Sequence, residues 1–115
     1  MIEVIRPGTH TTIQDLGRVG YQNLGVPPSG VMDTFSFRCA NLLVGNRPGD
    51  AGLEITLYGP ELRFDDDLVI AIAGADLGPR INGNEVDNWK TIRVGSGDVL
   101  SFVGPSSGVR AYIAF

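Results

Sequence analysis

The chain has 115 residues, a hydrophobic fraction of 43% and a net charge of −4 from 13 acidic and 9 basic residues. One domain with a single core is expected at this length, and no apolar run approaches the roughly 20 residues that span a bilayer. The acidic balance argues against a nucleic-acid partner, which needs a basic footprint. A single cysteine, Cys39, and a single histidine, His10, exclude an intrachain disulfide and any thiolate-rich or multi-histidine metal site.

Residues 2–6 (IEVIR) alternate apolar and polar side chains, as a half-buried strand does. They lack the basic start and long apolar run of a signal peptide, so a cytoplasmic location is expected. Pro7-Gly8 ends the strand, and residues 9–12 are polar enough to be a turn. From Gln14 to Ser29 the chain contains Gly17, Gly20, Gly25, Pro27 and Pro28, too many breakers for a regular helix. Ile13, Leu16, Val19, Tyr21, Leu24 and Val26 are threaded through the same stretch, which points to a loop packed onto a core. Asp33 suits a helix N-cap. A helix over residues 34–43 follows, with Phe35, Cys39, Leu42 and Leu43 expected on its buried face and Phe37, Ala40 and Val44 widening it. Gly45-Asn46 stops it.

The remainder reads as β-structure. Residues 53–58 and 61–64 alternate, and Asp65-Asp66-Asp67 suits an exposed turn. Residues 68–73 (LVIAIA) form a continuous apolar run, predicting a central strand buried on both faces. Asn82-Gly83 between Arg80-Ile81 and Asn84-Val86 predicts a hairpin with a type I′ turn. Residues 89–94, 99–103 and 109–115 complete seven to nine short strands around one helix, a pattern that fits a β-barrel or sandwich. The chain stops at Phe115 inside an apolar strand, so the expectation is that residues 1–115 are the N-terminal portion of a longer module.

Phosphate-loop and nucleophile-elbow patterns are absent, so neither nucleotide binding nor a His10–Asp15–Ser29 triad is supported. The informative residues are Gln14, Asp15, Arg18, Ser29, Asp33 and Asn41, polar groups set between residues that look buried. Buried polar side chains need partners. A ligand site and a purely structural network, with Asp15 pairing Arg18 and Asp33 acting only as a cap, both satisfy that need.

TIQDLGRVGYQNLGVPPSGVMDTFSFRCANLLVGN, followed by LEITLYGPELRF and VIAIAGADL, resembles the Kip-antagonist or carboxyltransferase-like family. This family includes the second allophanate-hydrolase subunit and the C subunit of 5-oxoprolinase, and contributes to the carboxyltransferase domain of urea carboxylase. The resemblance runs from Ile2 to Phe115 and rests mainly on the Q-D-x-G-R-x-G and V-P-x-S-G-x-M-D segments. It implies a mainly β, cyclophilin-like barrel with one short helix, represented here by part of the full module. It implies work with a Kip-inhibitor-like partner (the B subunit of 5-oxoprolinase), and in some assemblies a lactamase-like third subunit. The implied function is ATP-dependent hydrolysis of 5-oxo-L-proline to L-glutamate, with ATP used by the assembled complex. The alternatives are antagonism of a histidine-kinase inhibitor, and carboxyl transfer to urea or an amide from biotin on another chain. Carried over by position, the resemblance makes Asp15, Arg18, Ser29 and Asp33 candidate catalytic residues and Gln14, Gly30, Asn41 and Glu54 candidate substrate-binding residues. It implies no metal.

Overall fold

A computed structural model of the chain describes residues 2–14 and 32–115. Asp15, Arg18, Ser29, Gly30 and the glycine- and proline-rich stretch that carries them lie outside the described residues. The elements in order are β1 (Ile2–Arg6), β2 (His10–Gln14), α1 (Thr34–Leu43), β3 (Gly52–Thr56), β4 (Glu61–Phe64) and β5 (Leu68–Asp76). They continue through β6 (Pro79–Ile81), β7 (Asn84–Glu85), β8 (Thr91–Val94), β9 (Val99–Phe102) and β10 (Ser107–Ala114). All strand pairs between these elements are antiparallel. One sheet has the order β1-β4-β9-β6-β7 and the other β2-β3-β10-β5-β8. The fold is thus mainly β with one short helix, as expected. The described strands form two sheets with free edges at β1, β7, β2 and β8, and not one closed ladder.

The core lies between the sheets. Leu62, Phe64 and Leu100 from one sheet meet Ile55, Ile70, Ile72, Val94, Ala111 and Ile113 from the other. Each large apolar side chain among them contributes about 1.5–3 kcal/mol by leaving water. The second sheet is buried on its opposite face too, because α1 packs against β5 and β10 there. The pleat explains the LVIAIA run. Ile70 and Ile72 enter the intersheet core, whereas Ala73 meets the helix together with Tyr112 and Ala114. Alanines at 73 and 114 let the helix approach closely, and Phe37 fills the remaining space edge-on to Tyr112, with ring centroids 6.0 Å apart.

Several sequence expectations need correction. Residues 9–12 are not a turn: Gly8 reverses the chain at φ 75°, and His10–Gln14 pairs with β3 as an edge strand. A Cβ at Gly8 would lie 2.5 Å from the Tyr58 carbonyl oxygen, so the reversal requires glycine. β1 is less buried than its alternation suggested, with Val4 58% exposed, because this edge strand pairs only with β4. β3 ends at Thr56 because Leu57 adopts φ 62°, and β8 starts only at Thr91 because Trp89 adopts φ 63°. The type I′ hairpin is present, with Asn82 and Gly83 at φ 52° and 84°.

The helix has the expected span but turns a different face inward. Ser36, Phe37, Ala40 and Asn41 are buried, while Phe35 is 72% and Leu42 59% exposed. Counting apolar residues missed this because two buried positions are polar and have fixed partners. Phe35 instead leans on Trp89, ring centroids 6.2 Å apart. No helix among the described residues is long and apolar enough to cross a membrane.

Candidate functional site

The outer face of the β2–β3–β10 sheet carries the described candidates. Strand register sets their placement. Thr12 on β2 stands opposite Glu54 on β3, and Glu54 stands opposite Tyr112 on β10. Side chains directly opposite on neighbouring strands share a face, so Thr12, Glu54 and Tyr112 form one row. His10, Thr56 and Arg110 form the next row by the same register. Gln14 extends the face at the other side and donates from Nε2 to Thr12 Oγ1 at 3.0 Å.

Glu54 is only 5% exposed, yet it is well supplied with donors. Its Oε2 accepts from the Tyr112 hydroxyl at 2.8 Å and from the Met32 backbone N–H at 2.8 Å. The Tyr112 oxygen in turn accepts from the Asp33 N–H at 2.8 Å, which leaves its own proton for Glu54. Burial, and then the hydrogen bond to Glu54, push the Tyr112 phenol above its ordinary range, so it remains a neutral donor. One carboxylate and one phenol thus tie β3 and β10 to the two residues that precede α1.

Asp33 completes this corner. Its backbone is extended, and its carboxylate accepts from the Ser36 N–H at 3.1 Å and the Ser36 hydroxyl at 2.6 Å. These contacts make Asp33 the N-cap of α1 and keep buried Ser36 paired. Gln14, Asp33 and Glu54 therefore sit around one polar corner. Asn41 belongs to the other end of the helix, eight residues and about 12 Å further along its axis. Its Nδ2 donates to the carbonyls of Pro48 and Asp50 at 3.2 and 2.8 Å, and its Oδ1 accepts from Asn46. Asn46 also donates to the Phe115 carbonyl at 2.9 Å, so Asn41 anchors the loop after the helix to the last strand.

Sequence reasoning passed over Tyr112 and Thr12. The only available signal for Tyr112 was its parity in VRAYIAF, where a hydroxyl interrupts an apolar strand. Its partner Glu54 lies 58 residues away, and register alone brings them together. Among the described residues no cluster of three or more metal-binding side chains occurs. A groove of about 320 Å³ between the β6–β7 hairpin and residues 103–106 is lined by Asp76, Arg80, Glu85 and Asn88 and contains none of the candidates.

Comparison with known proteins finds clear relatives of the chain. The family model described as carboxyltransferase domain, subdomain A and B, matches residues 24–115. The chain is 47% identical over 113 residues to urea amidolyase of Saccharomyces cerevisiae, covering 97% of this chain and 6% of that protein. It is 37% identical over 114 residues to the C subunit of 5-oxoprolinase from Escherichia coli, covering 99% of this chain and 37% of that protein. The crystal structure of Kluyveromyces lactis urea carboxylase superposes with a TM-score of 0.93 at 45% identity, covering 98% of this chain and 10% of that one. The chain therefore spans well under half the length of these relatives. With most of its length matched by the family model and the same fold found in a solved relative, the chain belongs to the carboxyltransferase-domain family, in the region of subdomains A and B.

Proposed function

We propose that this chain forms part of the substrate cleft of an enzyme that activates a small amide-type N–C=O group. The observation that carries this reading is the polar corner around Glu54. Gln14 and Met32, the described residues on either side of residues 15–31, are both hydrogen-bonded into the Thr12–Glu54–Tyr112 row, Gln14 through Thr12 and Met32 through Glu54. The two described residues that flank 15–31 are thereby held against one face of the sheet, the kind of support a precise site needs.

An amide carbonyl is a poor electrophile and its nitrogen a poor nucleophile, so the reaction needs charge stabilisation and proton handling. Arg18 and backbone amides near Ser29-Gly30 stabilise a developing oxyanion. Asp15 or Asp33 orients the substrate N–H or moves its proton. Gln14 and Glu54 line the binding side, Tyr112 positions Glu54, and Asn41 acts by holding the 46–50 loop. Two of the described features that could hold a phosphate are already engaged. The N-terminus of α1 is occupied by the Asp33 carboxylate, and Lys90 is paired with Asp87 at 3.2 Å. In this reading ATP, which supplies the free energy for opening a lactam, is used at the level of the assembled complex.

The first specific reading is hydrolysis of 5-oxo-L-proline to L-glutamate with a Kip-inhibitor-like partner, supported by the similarity to the C subunit of 5-oxoprolinase. Carboxyl transfer to urea is the second, favoured by the higher identity to urea amidolyase. Both are tested with the full-length protein and its genomic partners. Glutamate released from 5-oxoproline and ATP, or ATP- and biotin-dependent carboxylation of urea, is measured for wild type and Glu54→Gln. The reading requires one of the two activities and its loss in the variant. Neither activity, or full activity in the variant, would overturn it.

A further inference from the structure

We draw no further inference here: the strongest candidate, the apolar groove of about 310 Å³ that Cys39, Leu42 and Leu43 of α1 form with Trp89, is an unpartnered helix face, and nothing in the structure shows what covers it.

Discussion

Replacing Tyr112 by phenylalanine removes one oxygen atom from the centre of the polar corner. The ring still packs against Phe37, so the apolar contribution is retained. Two hydrogen bonds disappear: the hydroxyl no longer donates to Glu54, and the Asp33 N–H loses its acceptor. A hydrogen bond to a charged group contributes about 1.5–3 kcal/mol, and a buried donor left unpaired costs about 1–3 kcal/mol. Water reaching exposed Asp33 offsets part of the second term, so the expected loss is about 2–4 kcal/mol. Equilibrium urea unfolding followed by the fluorescence of Trp89 measures it, and Glu54→Gln with the double variant completes a cycle. The single losses should overlap, because both variants disturb the same hydrogen bond. A Tyr112→Phe protein within about 0.5 kcal/mol of wild type, or strictly additive losses in the cycle, would show that the Glu54–Tyr112 bond contributes nothing, and the reasoning would fail.

Asp33→Ala removes the N-cap of α1 and should cost about 0.5–2 kcal/mol, recovered largely by Asp33→Asn, as read from denaturation midpoints. Asn41→Leu leaves the Pro48 and Asp50 carbonyls without their side-chain donor, and a loss of about 2–4 kcal/mol with faster proteolysis between residues 46 and 50 is expected. The Asp98 carboxylate is held below its ordinary value of 3.8 by the Gly95 N–H and then by the Asn82 amide. A depressed folded value means stability that is present above the unfolded value and lost as pH falls through the folded one, so Asp98→Asn should flatten the acid limb of the stability curve below about pH 4. Tyr112 has the opposite sign. Its folded value is raised above 10.0, so its contribution is intact below that pH and declines above it; Tyr112→Phe should remove that part of the alkaline decline.

Local chemistry was legible in the sequence wherever a few adjacent residues decide the outcome. Asp33 before an apolar periodic stretch and Gly45-Asn46 after it bounded the helix at Thr34–Leu43, because capping is a contact between near neighbours. Asn82-Gly83 specified a turn with two positive φ values. LVIAIA specified a strand buried on both faces, which holds over residues 70–73, whereas Val69 at its start is 36% exposed. The residue patterns also carried the family resemblance.

Tertiary structure decided what depends on distant partners. Which helix face turned inward followed from the surface made by Ala73, Tyr112 and Ala114, and from partners that let Ser36 and Asn41 be buried. The edge strand at His10–Gln14 exists because β3 lies ready to pair with it, not because its own residues demand it. Glu54 alternated in a strand whose inward side the sequence left open. Register then set it opposite Tyr112, and cross-strand register is fixed by the whole hydrophobic pattern of both strands, not by either residue alone.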